Sequence, residues 1–174
     1  MNIFFTLMLF FEALKERLPD GPTNMYQCMD YRTITNESSE QWQLQTECRT
    51  DDDTGIRYYE FDDDVYYCVA MGDAYGEIIG DTWAVTLKCG TTFNVIRSEF
   101  KDEYGVFNNF FGHPCKNYDE QDCTNVLEFV VDIDSVSDNV KLAGTMSKLD
   151  CFGGLYGDGG NIVKIEYTGR KWGA

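Results

Sequence analysis

Apolar residues dominate the start of the chain and recur there at helical spacing. The run IFFTLMLFF fills residues 3–11, and apolar positions return every three or four residues as far as Leu18. Pro19 and Gly21 then end the pattern. A broad apolar face of this kind predicts an N-terminal α-helix within residues 1–18 that buries its sides against its own domain or against other proteins.

Two other interpretations of this apolar run are weaker. A membrane span needs about 20 apolar residues, and Glu12 ends the run too early. A secretory signal carries basic residues before its apolar core, whereas only Met1 and Asn2 precede this one. We therefore expect no membrane span, and we expect residues 3–18 to be a retained packing helix that contacts assembly partners or other copies of the chain.

The pattern changes after Cys28 to short β-prone segments separated by turn residues. The segments are QWQLQTECR, IRYYEF, VYYCVAMG, WAVTLKCG, TTFNVIRSEF, VLEFVVD and IVKIEYTG. Thr54–Gly55, Cys89–Gly90 and Gly159–Gly160 lie between such segments, where hairpins turn. The sequence therefore predicts a mainly-β domain, with residues 135–148 as its one later helical candidate.

The cysteines fit disulfides better than a metal or redox site. The chain has seven cysteines, no CxxC pair and a single histidine. This usage predicts an oxidising compartment and at least one bridge. Cys115 and Cys123 bracket CKNYDEQDC inside a long interruption of the β pattern, residues 102–124, and they are spaced to close that loop.

The charge and the acidic runs exclude some functions. A net charge of −16 makes nucleic acid an improbable partner, because the chain repels phosphate backbones. TDDDTG at 50–55 and FDDDV at 61–65 invite a calcium interpretation but lack EF-hand spacing. Hairpin turns and solvated edges are the favoured roles, and we predict neither a metal nor another cofactor.

The segment order, together with one motif, resembles a known fold. VYYCVAMGDAYGEIIG, then EFVVDIDSVSDNVKLAG, then NIVKIEY follow one another as in a double-psi β-barrel. The resemblance is to a group of uncharacterised proteins of Gram-positive anaerobes and their phages that open with Tyr-Met-Asp-Tyr-Arg-x-Ile-Thr, and it covers roughly residues 26–167. The matching residues are Met29, Asp30, Tyr31, Arg32, Ile34 and Thr35. The resemblance implies a six-stranded double-psi β-barrel over residues 65–168, with a β-rich extension over residues 26–64 packed on it.

More distantly the chain is similar to rare lipoprotein A, the expansins and membrane-bound lytic transglycosylase A, which act on cell-wall polysaccharides. In those families an aspartate follows an apolar strand and precedes a short helix, and Asp132 has this position. A lytic transglycosylase needs one carboxyl group that gives and then accepts a proton, for which a raised pKa is useful. The alternative is that Asp132 only caps the turn that follows it.

Glu99 is the second candidate catalytic residue. The close group carries Gly-Asp-x-Lys-Ala-Asp-x-His-Thr-Asp after its third strand, where this chain reads SEFKDEYGVF. Lys101 matches, Glu99 replaces the aspartate, and the histidine motif is absent at that spacing, although His113 follows later. Glu99 is therefore the candidate partner of Asp132, with a solvated strand end as the alternative.

Tyr75 and Trp83 are candidate carbohydrate-binding residues, because aromatic faces suit pyranose rings, although alternation along strands predicts that about half of such residues fill the core.

The sequence as a whole supports two functions. The favoured one is a non-catalytic structural or binding module of an extracellular, cell-surface or virion assembly, anchored by residues 3–18, with cell-wall polysaccharide as a candidate ligand. The alternative is a peptidoglycan-directed, lytic transglycosylase-like enzyme that uses Asp132 as general acid and base.

Overall fold

The protein is mainly β. The computed structural model describes residues 16, 18, 24–88, 90–101, 115–116, 122–123, 126–136 and 162–173. Within them it has ten strands, one α-helix and two single-turn 3-10 helices, at Tyr31–Thr33 and Asp73–Tyr75. The strands are β1 (Asn24–Asp30), β2 (Arg49–Thr50), β3 (Arg57–Phe61), β4 (Asp64–Met71), β5 (Asp81–Leu87), β6 (Thr92–Phe100), β7 (Cys115–Lys116), β8 (Asp122–Cys123), β9 (Val126–Val131) and β10 (Ile162–Lys171). The mainly-β prediction is thus confirmed.

Eight of these strands form one mixed sheet. Its main path runs β1-β9-β4-β6-β5-β10, and β3, with β2 beside it, pairs with the first half of β4. The pairs β1/β9 and β4/β6 are parallel, and the others are antiparallel. The end strands β1 and β10 do not pair with each other in the described part of the chain, so this sheet is open and the six-stranded barrel that the resemblance implies is not formed by it.

Alternation along the strands gives the sheet two apolar faces. In β4, Val69 and Met71 join the main core, whereas Tyr66 and Cys68 face the other way. This is the two-residue period of a strand, and it fits a sheet that is covered on both sides. The main core is the cluster of buried residues Ile56, Val69, Met71, Tyr75, Trp83, Val85, Leu87, Val95, Leu127, Phe129, Val131, Val136, Ile162 and Ile165. The smaller cluster, which we call the helix-side core, consists of Leu44, Cys48, Tyr66, Cys68, Ile79, Ile96 and Val130.

A helix stands where the sequence pattern predicted a strand. QWQLQTECR was expected to be β, but Glu40–Glu47 form an α-helix, which we call α1. The Ser39 hydroxyl accepts the Trp42 amide proton at 3.2 Å and caps the first turn. Gln, Glu and Leu are good helix formers, and Leu44 is buried in the helix-side core, so capping and packing together outweigh the β appearance of the segment.

The two acidic runs are turns, as predicted. The first joins β2 to β3, and Asp51 Oδ1 accepts the amide protons of Asp53 and Thr54 at 3.1 and 2.9 Å. The second is the β3–β4 hairpin, in which Asp62 has a positive φ of 56°. No group of three metal-ligating side chains occurs among the described residues. Thr54–Gly55 and Gly90 lie in turns, as their sequence positions predicted.

Several predicted features lie outside the described residues. They are most of the N-terminal helix, most of the helical candidate over 135–148, Gly159–Gly160, and most of the loop over 102–124. Within that loop, β7 and β8 pair with Cys115 opposite Cys123, so the register places the two predicted bridge partners across from each other. Leu18 is half-buried and packs against the main core. None of the described helices has the length and apolar character that crossing a membrane requires.

Candidate functional site

The parallel pairing of β1 and β9 brings two separately noted stretches together. Asp30, in the motif that carries the resemblance, lies opposite Val131 in the register. Because parallel strands end at the same edge of a sheet, the residues that follow them share that edge. Arg32 and Asp132 are those residues, although 100 positions separate them in the chain.

The Arg32 guanidinium lies close to three carboxylates at this edge of the sheet. Its Nε lies 3.0 and 2.9 Å from the two Asp30 carboxylate oxygens, and its Nη1 lies 2.5 Å from Asp134 Oδ2. Its Nη2 is 2.9 Å from Asp30 Oδ2 and 3.9 Å from Asp132 Oδ1. The hydrogen bonds to Asp30 and Asp134 raise the pKa of Arg32 above its ordinary value. We call these four residues the Arg32 cluster.

Asp132 itself caps the turn after β9. Its Oδ1 accepts the Asp134 amide proton at 3.2 Å, and its Oδ2 accepts the Ser135 hydroxyl proton at 3.3 Å. Its carbonyl oxygen accepts the amide protons of Ser135 and Val136 at 2.9 and 3.1 Å. The turn-cap interpretation therefore describes its local geometry, and both side-chain oxygens are occupied by hydrogen bonds.

A groove begins at Arg32. Its volume is about 420 Å³, and it lies between the segment after β1 and helix α1. Its lining residues are Tyr31, Arg32, Ile34, Thr35, Glu37, Trp42, Gln45 and Thr46. Trp42, Gln45 and Thr46 face it together because residues three and four apart share one side of a helix. We call this the 31–46 groove.

Behind the groove, Arg57 holds its wall in place. The Arg57 guanidinium lies 4.4 Å from the centre of the Tyr31 ring and donates to the carbonyl oxygens of Gln45 and Cys48 at 2.6 and 2.8 Å. It is buried, with 8% of its surface exposed. One buried cation thus connects the aromatic side of the groove to the C-terminal end of α1.

Glu99 does not join Asp132. Glu99 lies near the C-terminal end of β6, which runs parallel to β4, and Asp132 follows the C-terminal end of β9, which runs antiparallel to β4. Those two ends point to opposite edges of the sheet. The structure therefore does not form the carboxylate pair that the sequence suggested across one groove.

Glu99 instead lies beside a second ionic group. Ala70 is in register with both Glu99 and Glu128, so the two glutamates lie on the same face with one small side chain between them. Glu128 is 2.8 Å from the Lys101 ammonium, which is almost fully buried. The Glu99 Oε1 accepts the Phe100 amide proton at 2.7 Å and lies 3.5 Å from Gln41 Nε2. Burial raises the pKa of Glu99 despite these hydrogen bonds.

We expect Glu99→Gln to make the protein more stable at neutral pH. Because the folded pKa of Glu99 is raised, the folded state loses stability relative to the unfolded state as the pH rises above about 4.5, the ordinary glutamate value. The neutral amide avoids that loss. Urea unfolding at pH 4 and pH 7 should show a gain for the variant only at the higher pH.

The control for this prediction is Glu166→Gln. Glu166 is half-exposed and pairs with Lys164 on the surface at 2.7 Å. We expect this variant to change the free energy of unfolding by less than about 0.5 kcal/mol at either pH. The prediction for Glu99 fails if its variant shifts stability equally at both pH values.

Tyr75 and Trp83 are core residues. Both are 0% exposed, and their rings meet edge to face with centroids 5.8 Å apart. Burial raises the pKa of Tyr75 well above its ordinary value. The prediction that they bind carbohydrate does not fit these positions, because a sugar cannot reach either ring in this structure.

The site residues that sequence analysis missed are Asp30 and Trp42. Asp30 was noted only as part of a motif, and its closeness to Asp132 depends on the β1/β9 pairing. Trp42 lay in a segment predicted to be a strand, and its position on the groove follows from α1. Ser39, a good N-cap residue before a segment rich in helix formers, was the local signal for that helix.

Comparisons with known proteins add no relative. No protein-family model, no curated protein and no solved structure matches this chain. The double-psi β-barrel resemblance therefore stays a prediction, and the functional argument rests on the geometry of the site.

Proposed function

We propose that the protein is a non-catalytic structural and binding module of an extracellular, cell-surface or virion assembly, and that the 31–46 groove binds a cell-wall polysaccharide. The groove carries this proposal. It combines two half-buried aromatic rings, Tyr31 and Trp42, with side chains that can bond sugar hydroxyls. Aromatic faces with a few polar groups suit a ring that is apolar on its face and hydroxylated at its edge.

The state of Asp132 supports binding over catalysis. A general acid needs a proton to give and a position within reach of the glycosidic oxygen. Asp132 instead accepts two hydrogen bonds from its own turn and lies near the Arg32 cation. These contacts hold the Asp132 side chain in the turn and occupy both of its oxygens.

In this proposal residues 3–18 dock the module into its assembly, with residues 26–64 as the extension and residues 65–168 as the domain that the resemblance assigns to a double-psi barrel. Leu18 already packs on the main core, which ties the end of that N-terminal segment to the domain. Deletion of residues 3–18 should therefore remove assembly without removing polysaccharide binding.

One observation favours the enzyme as a second candidate. Arg32 Nη2 is 2.9 Å from Asp30 Oδ2 and 3.9 Å from Asp132 Oδ1, so the two oxygens lie less than about 7 Å apart. Two carboxylates flank the scissile bond in glycosidases, and this upper limit is compatible with the roughly 5–5.5 Å spacing of the retaining enzymes. In that case Asp132 would act as the acid after leaving its turn contacts, with Asp30 as the second carboxylate.

The deciding experiment measures binding and cleavage on the same substrate. Purified protein is mixed with insoluble peptidoglycan, and the pellet and the soluble muropeptides are both quantified. We expect wild type and Asp132→Asn to pellet alike without releasing muropeptides. Trp42→Ala should bind about tenfold more weakly, a loss of about 1.4 kcal/mol.

Tyr58→Ala is the matched control, because Tyr58 is a half-buried aromatic residue of β3 that does not line the groove. It should bind as wild type does. No pelleting of wild type would reject the binding proposal. Release of muropeptides by wild type but not by Asp132→Asn would establish the enzyme instead.

A further inference from the structure

Two cysteine thiols meet under helix α1. Cys48 is the C-cap residue of α1, and Cys68 lies in the middle of β4, 20 positions later. Their sulfur atoms are 3.4 Å apart, and both residues are buried. A disulfide bond is about 2.05 Å long, so the two sulfurs are in contact but unbonded, and closing the bond needs a shift of about 1.4 Å.

The surroundings of Cys68 favour a thiolate. Ser98 Oγ and Gln45 Nε2 are buried, and neither has a hydrogen-bond partner in the described part of the chain. Burial by itself raises the pKa of Cys68, but the hydrogen bond with Cys48, the polar side chains of Ser98 and Gln45 and the nearby Arg57 charge outweigh it and lower that pKa. The hydrogen bond to Cys68, followed by burial, raises the pKa of Cys48. Cys68 is therefore the sulfur that attacks in the second, intramolecular step.

We propose that Cys48 and Cys68 are a redox pair that closes to an intramolecular disulfide by exchange with a low-molecular-weight disulfide. Cys48, which is 8% exposed where Cys68 is 0% exposed, is the point of entry. The Cys68 sulfur takes the proton of Cys48, the Cys48 sulfur bonds to one sulfur of the reagent, and the other reagent sulfur leaves as a small thiolate. The Cys68 sulfur then attacks the Cys48 sulfur and releases the second small thiol.

The exchange is balanced. Two protein thiols are oxidised to one disulfide, the reagent disulfide is reduced to two thiols, and the two protons pass to the released thiols. The two sulfur atoms are already in contact before oxidation. The product joins the C-cap residue of α1 to the centre of the sheet, and α1 supplies Trp42, Gln45 and Thr46 to the 31–46 groove. The inference holds whatever that groove binds.

Peptide mapping of the full chain tests this proposal. Trypsin places Cys48 alone in residues 33–49 and Cys68 alone in residues 58–88. Reduced protein is incubated with oxidised glutathione, quenched with acid, alkylated and digested without reductant. We expect a cross-linked peptide of 33–49 with 58–88, whose mass is about 2 Da below the sum of its parts.

The same reaction should raise the melting temperature by roughly 5–10 °C, because the bridge closes a loop of about 20 residues. Cys48→Ser and Cys68→Ser should each lose both the cross-linked peptide and the rise in melting temperature. Cys28→Ser should keep both, because it leaves the pair intact. Alkylated 33–49 and 58–88 recovered separately from oxidised protein, or found only as glutathione adducts, would overturn the proposal.

Discussion

Gly55→Ala should destabilise the protein by about 3–5 kcal/mol, because two independent costs add at this position. Gly55 has a φ of +77°, a conformation that L side chains rarely adopt. An added Cβ would also lie 2.7 Å from the Val136 nitrogen and 2.8 Å from its Cα. Backbone atoms cannot rotate away, so the turn after β9 must shift.

The shift should also displace Asp132. The Gly55 carbonyl oxygen accepts the Asp132 amide proton at 2.9 Å, so Gly55 holds the turn that carries Asp132. Urea and thermal unfolding measure the loss of stability, which corresponds to a fall in melting temperature of about 10 °C.

Gly90→Ala separates the two costs. Gly90 has a φ of +92°, but an added Cβ meets nothing within 4 Å. This variant should lose only the backbone term, about 1–2 kcal/mol. Equal losses at the two positions would mean that the contact with Val136 adds no cost and that the turn is freer than its packing implies.

Most strands and turns could be predicted from the sequence, because they depend on residues that are close together in the chain. VYYCVAMG alternates between the two cores, and glycines or acidic residues stand at its neighbouring turns. A two-residue period and turn chemistry operate over a few residues, so a single chain displays them. Helix α1 was missed because it is only eight residues long and shows little apolar period, so its cap and its packing decide it.

The sequence predicted only part of the candidate site. Asp132 was singled out by its place after an apolar strand, and the turn-cap alternative already contained its observed hydrogen bonds. Its closeness to Asp30 and Arg32 needs a parallel pairing between strands about 100 residues apart, which no local pattern specifies. The sequence suggests a pair of Glu99 with Asp132 because it does not show the directions of β6 and β9. In the structure those directions place Glu99 at the opposite edge of the sheet.

Tyr75 and Trp83 show the same limit in another form. An aromatic residue in a β-rich segment fits a ligand groove as well as a core until the elements that cover it are known. The main core covers both rings, whereas Tyr31 and Trp42 are left at the groove. The sequence indicates which residues are aromatic, but only the packing shows which of them are buried and which line the groove.

Arg57→Met should destabilise the protein by about 2–4 kcal/mol, although methionine keeps much of the apolar stem. The guanidinium makes four hydrogen bonds, two to the carbonyl oxygens of Gln45 and Cys48, one to Gln45 Oε1 at 3.1 Å and one to Thr50 Oγ1 at 2.9 Å. Those carbonyls belong to the end of α1, which carries the negative end of the helix dipole. Methionine leaves the acceptors buried without a donor, and it removes the cation from the Tyr31 ring.

Arg49→Met tests whether burial, rather than charge, is the cause. Arg49 lies on neighbouring β2 and contacts Glu60 at 2.6 Å, but its side chain is 69% exposed. Water can hydrogen-bond to Glu60 in place of Arg49, so the variant should change the free energy of unfolding by less than about 1 kcal/mol. If Arg57→Met costs no more than Arg49→Met in urea unfolding, the Arg57 hydrogen bonds do not hold α1 in place. The groove wall would then depend on the apolar contacts of Leu44 and, in oxidised protein, on the bond between Cys48 and Cys68.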